Sequence, residues 1–91
     1  MPTITEEEKK SNLRNDNLYS NKVILFNDNI NTFDHVEMCL VQICKHEEME
    51  AKKIAMEAHS KGKAVCFTGS LEVCEDIGEK MGEKGLTVSV E

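Results

Sequence analysis

The chain of 91 residues predicts an α+β fold with the element order β-α-α-β-α-β, and three observations carry that prediction. Short apolar runs around residues 23–26, 63–68 and 86–90 are rich in Val, Ile, Phe and Thr, which fit a pleated, half-buried surface. Between them lie three stretches whose apolar residues recur at helical spacing. The second and third strands are joined by a single helix, which favours a parallel, right-handed crossover. Placing the first strand antiparallel between them gives a three-stranded antiparallel sheet covered by three helices.

Residues 1–21 are polar, mixed in charge and without periodicity, and read as a flexible N-terminal extension to a domain spanning 22–91. The first strand covers 22–27, with Val23 and Leu25 facing one way and Ile24 and Phe26 the other. It runs into Asn27, Asp28 and Asn29, short polar side chains that bond readily to nearby backbone. An ordinary strand-to-helix turn accounts for them; so does a polar site beside a helix N-terminus.

Thr32 is the expected cap of a first helix from Phe33 to Cys44, with Asp34 in its first turn and Phe33, Val36, Leu40 and Ile43 at helical spacing. A break near Lys45-His46 precedes a second helix over 47–60. Its acidic first turn suits the helix dipole, and its apolar stripe is Ala51, Ile54, Ala55 and Ala58. Such small residues let a neighbour approach closely or leave space above the helix. Gly62 is the expected stop.

The second strand is KAVCFT, 63–68. Ser70 caps a third helix with Leu71, Cys74, Ile77 and Met81 on one side, weakened by Gly78 and Gly82 at about 1 kcal/mol each. Gly85 ends it, and residues 86–91 alternate as a half-buried strand.

Composition excludes several classes of function. The domain's roughly seventy residues bury only about 60% of their unfolded surface, so the core is small. Aromatic residues make up 4% of the chain, leaving aliphatic, Met and Cys side chains to fill that core. A net charge of −6 and a pI near 5.0 argue against nucleic acid and against an anionic membrane surface. No apolar run approaches the roughly 18 residues of a membrane span. The N-terminus, with Glu6, Glu7 and Glu8, lacks the features of a secretory or organelle presequence. A cytoplasmic protein is expected.

Cys39, Cys44, Cys66 and Cys74 include no C-x-x-C pair. They read as reduced core residues, with no metal site; His35 and Cys39 share a helical face, but two ligands do not make one. No phosphate loop, nucleophile elbow or H-E-x-x-H motif is present, so a non-enzymatic protein without cofactor is expected. His59, at the end of the second helix, reads as a capping or surface histidine, or as something more.

The segments K-V-I-L-F-N-D-N (22–29) and A-H-S-K-G-K-A-V-C (58–66), with the helix pair between them, resemble the ClpS family, adaptors that hand substrates to a Clp AAA+ unfoldase. The resemblance covers about residues 22–91. It implies the same fold, a three-stranded antiparallel sheet with three helices, and recognition of proteins by a bulky hydrophobic N-terminal residue (Phe, Tyr, Trp or Leu). By position it assigns contact with the free α-amino group to Asn27, Asp28 and His59. The apolar pocket falls on Phe33, Val36, Ala55, Ala58 and Leu86, and its rim on Asn29 and Asn31. The implied partners are a Clp unfoldase of the ClpA or ClpC type and N-degron substrates, with the adaptor monomeric when free.

The chemistry is coherent in its own right. An ammonium group offers three donors and a positive charge, and an amide carbonyl, a carboxylate and a neutral imidazole nitrogen answer them. The sequence also departs from the family. Asn29 stands where a second Asp is frequent, Asn31-Thr32 where Thr-Pro is common, and Phe33 in place of a common Met. Ala55 and Ala58 replace larger residues, and the link from Cys66 to the third helix is about six residues shorter than in many members. The same element order also resembles the C-terminal domain of the ribosomal stalk protein, an interaction module of another kind.

Overall fold

The computed structural model describes residues 21–91. The extension expected over residues 1–21 falls, apart from Asn21, outside the described residues. Strand β1 is Asn21–Phe26, followed by helix α1 (Phe33–Gln42), helix α2 (Glu48–Lys61), β2 (Lys63–Gly69), α3 (Leu71–Glu83) and β3 (Val88–Val90). The strands lie in the order β2-β1-β3, with β1 antiparallel to both neighbours. The α+β architecture and element order are those the sequence predicts.

β1 is central because it supplies the most apolar strand. Val23 and Leu25 are fully buried beneath the helices, with Cys39, Leu40, Ala51, Ile54, Cys66, Cys74, Ile77 and Met81. The β1–β2 register slips between Val23, opposite Phe67, and Ile24, opposite Val65. Cys66 is therefore the extra residue of a β-bulge, and its carbonyl accepts a hydrogen bond from His46 Nε2 at 2.6 Å. A bulge leaves its extra residue out of the ladder, and the histidine supplies the missing partner.

The caps follow the sequence closely. Thr32 Oγ1 accepts from the His35 N–H at 3.1 Å and starts α1. Ser70 Oγ accepts from the Val73 N–H at 3.3 Å and starts α3. Gly62, at φ 95°, closes α2 with its N–H on the Ala58 carbonyl. Helix α1 stops at Gln42, two residues before the expected end, and Lys45 turns the chain at φ 64°. Cys44 is thereby buried in the turn. Leu71, expected on the buried side of α3, is exposed, because the first helical residue projects past the edge of the core.

Gly78 has a reason that its propensity hides. A Cβ there would lie 3.2 Å from Val90 Cγ2, so the missing side chain lets α3 lie close against β3. β3 itself is shorter than the alternation implies. Its ladder nevertheless extends through Phe26 N–H to Thr87 O (2.9 Å) and through paired bonds between Lys22 and Glu91 (2.8 Å each). Leu86 stands just outside the strand and is buried.

All four cysteines are free and buried. Cys66 shares a side-chain hydrogen bond with Cys44, and this, with burial, pushes the Cys66 thiol far up. Burial also raises Cys39 and Cys74. These thiols stay protonated and act as small apolar fillers. Among the described residues no three His, Cys, Asp or Glu side chains are grouped to hold a metal ion. No described helix is long and apolar enough to cross a membrane.

Candidate functional site

Four segments converge at one end of the sheet: the end of β1, the start of α1, the last two turns of α2 and the link from α3 to β3. They enclose a depression of about 460 Å³, within the size range usual for ligand sites. Every residue singled out from the sequence lines it: Asn27, Asp28, Asn29, Asn31, Phe33, Val36, Ala55, Ala58, His59 and Leu86. Leu25, Phe26 and Met56 also contribute.

The polar side is built by the turn after β1. The Asn27 N–H donates to the Gly62 carbonyl at 3.0 Å, which pins the strand end beside the end of α2. Its carboxamide makes no hydrogen bond to a described residue. Asp28 forms an Asx turn: Oδ1 accepts from the N–H groups of Ile30 (2.9 Å) and Asn31 (2.8 Å), and Oδ2 accepts from Asn31 Nδ2 (2.8 Å). The Asn31 bonds, backbone first and then side chain, together with that of Ile30, hold the Asp28 carboxyl below its ordinary value. Donors to the charged form favour it, so Asp28 is a carboxylate at neutral pH. The turn is joined to the far side of the depression as well. Asn31 Nδ2 donates to the Gly85 carbonyl at 2.9 Å, and His35 Nε2 lies 2.9 Å from the Lys84 carbonyl.

The opposite wall belongs to α2. Ala55 and Ala58 are buried and small, with Leu86 beside them. Helical spacing brings Ala55, Ala58 and His59 to one side, at i, i+3 and i+4. His59 is exposed at the helix end, and its ring makes no hydrogen bond to a described residue. Phe33 stands at the mouth, 37% exposed.

Residues 15–89 match the family model described as "ATP-dependent Clp protease adaptor protein ClpS". The chain belongs to the ClpS family. Among curated relatives, the ClpS adapter of Thermosynechococcus vestitus is 32% identical over 91 residues, covering 98% of this chain and 95% of its own. That of Gloeobacter violaceus is 35% identical over 92 residues, covering 100% and 97% respectively. Among solved structures, Agrobacterium tumefaciens ClpS2 bound to L-phenylalaninamide superposes with a TM-score of 0.70 at 22% identity, over 81% of this chain and 96% of that one. That likeness is one of fold. Membership decides against the ribosomal stalk resemblance, which shares only the element order.

Sequence reasoning missed Met56. It lies one position from Ala55, on the charged face of α2, and only the position of the depression shows that its flexible side chain reaches the rim. It missed the role of His35 too, whose partner is 49 residues away in sequence.

Proposed function

We propose that this protein is an adaptor that captures substrates by a bulky hydrophobic first residue and delivers them to a Clp AAA+ unfoldase. The observation that carries this reading is the joining, in one depression, of an apolar wall with three unsaturated polar groups. Asn27 offers an amide carbonyl, Asp28 a carboxylate with a lone pair to spare, and His59 an imidazole nitrogen. An α-ammonium group fits that set, and its side chain, Phe, Tyr, Trp or Leu, fits the space over Ala55, Ala58 and Leu86. The L-phenylalaninamide bound by the Agrobacterium protein has that chemistry, a free amine beside an aromatic ring.

Magnitudes suit the task. Burying an aromatic side chain contributes about 2–3 kcal/mol. Each hydrogen bond to a charged group adds about 1.5–3 kcal/mol before ordering costs. The sum corresponds to binding near −8 kcal/mol, about micromolar, which permits release. The adaptor acts as a monomer in the cytoplasm, its partner an unfoldase of the ClpA or ClpC type. It performs no chemistry of its own.

The deciding experiment is a titration with peptides beginning with Phe, Leu or Trp, repeated with the amine acetylated. Free peptides bind and acetylated ones do not; equal affinity sinks amine capture. Residues 1–20 serve delivery in this reading. Their deletion leaves peptide affinity unchanged and slows degradation of a Phe-initiated substrate in a reconstituted unfoldase assay, whereas undiminished delivery removes that role.

A further inference from the structure

Asn31 does what its neighbours at the rim do not. One hydrogen of its carboxamide nitrogen goes to Asp28 Oδ2 at 2.8 Å, and the other to the Gly85 carbonyl at 2.9 Å. Gly85 immediately precedes Leu86, so a single side chain spans from the anionic corner of the depression to its apolar wall. Asp28 Oδ1 is already committed to two backbone N–H groups. A carboxylate has about four lone-pair sites. The Asn31 bond takes one of the two on Oδ2 and leaves the other for a ligand. It also stops the carboxylate from swinging about its Oδ1 bonds.

A hydroxyl at this position would have one proton to donate and could hold one of these two acceptors at a time. An amide nitrogen holds both. His35, one helical turn on, makes a parallel tie to the Lys84 carbonyl at 2.9 Å, so the link from α3 to β3 is held at two successive carbonyls.

Resting on the amine-capture reading, we propose that Asn31 is a positioning residue. It fixes the orientation of the Asp28 carboxylate and its separation from the Leu86 wall, and so sets how well a free amine and a bulky side chain are recognised together. Asn31 itself need not touch the ligand.

The test uses the full chain and a Phe-initiated peptide, free or N-acetylated, with the parent, Asn31→Ala and Asn31→Thr. The parent's preference for the free amine reads the binding proposal by itself; without that preference, both proposals fall. Given it, Asn31→Ala lowers affinity for the free peptide about tenfold and changes affinity for the acetylated peptide less than twofold. Asn31→Thr, with one donor restored toward Asp28, recovers most of the loss. A merely structural role would weaken both peptides alike or leave the ratio between them untouched, and either result overturns the assignment. Failure of Asn31→Thr to do better than Asn31→Ala overturns it as well.

Discussion

The two sides of the depression are built on opposite principles. The turn from Asn27 to Thr32 is braced by its own hydrogen bonds, and three of the roughly four acceptor sites on Asp28 are taken before any ligand arrives. The end of α2 is nearly bare: two buried alanines and a histidine whose ring has no described partner. One side is rigid and charged, the other open and apolar. Orientation should come from the first and affinity from the second.

Filling the open side is expected to have the largest effect. Ala55→Met with Ala58→Leu places side chains in the space that the proposed function assigns to the ligand's side chain. Binding of Phe- and Trp-initiated peptides should fall about a hundredfold or more, equivalent to about 2.7 kcal/mol, while the melting temperature moves little. Parent-like binding by this double variant would show that the first side chain goes elsewhere.

Asp28→Ala comes next, and it acts twice. Affinity for free-amine peptides should drop at least tenfold. Stability should fall by about 1–2 kcal/mol in denaturant titration, because the Ile30 and Asn31 donors lose their acceptor. His59→Ala breaks the symmetry of the comparison. It should weaken binding by about three- to tenfold yet change stability by no more than about 1 kcal/mol, since the exposed ring has no described hydrogen-bond partner to lose. A large stability loss would make His59 a structural residue.

The smallest effect is the pH dependence contributed by Asp28. Its folded pKa is depressed from 3.8. Its stabilising contribution is thus fully present above the unfolded value and is lost as pH falls through the folded one. Amine capture should fade over the same acid limb, and Asp28→Asn should flatten it. A parent profile indistinguishable from that of Asp28→Asn would remove the carboxylate from the mechanism.

Much of this was legible in the residues. Thr32, Ser70 and Gly62 mark element ends by local chemistry, which needs no tertiary context: a hydroxyl meets an orphan N–H, and a glycine accepts positive φ. The stripe Ala51, Ile54, Ala55 and Ala58 is buried as its period requires. The apolar pattern extends helix α1 two residues too far, because Ile43 and Cys44 continue it while the backbone leaves the helix. Apolar period reports burial, and burial persists through the turn.

The bonds that shape the site were not legible. Asn31 to Gly85, His35 to Lys84 and His46 to Cys66 join residues 54, 49 and 20 positions apart. No local propensity encodes such pairs. The same holds for Gly78, which looks like a helix defect until Val90 is found against it.

By itself, then, the sequence determined the order of the elements, their caps, and the Asn-Asp turn that bonds to its own backbone. These follow from interactions within a few residues. Only the tertiary structure decided that this turn, two alanines of α2 and Leu86 would face one another across an open space. That arrangement depends on how the strands register and how closely the helices approach, and both are set by packing between residues far apart in the chain.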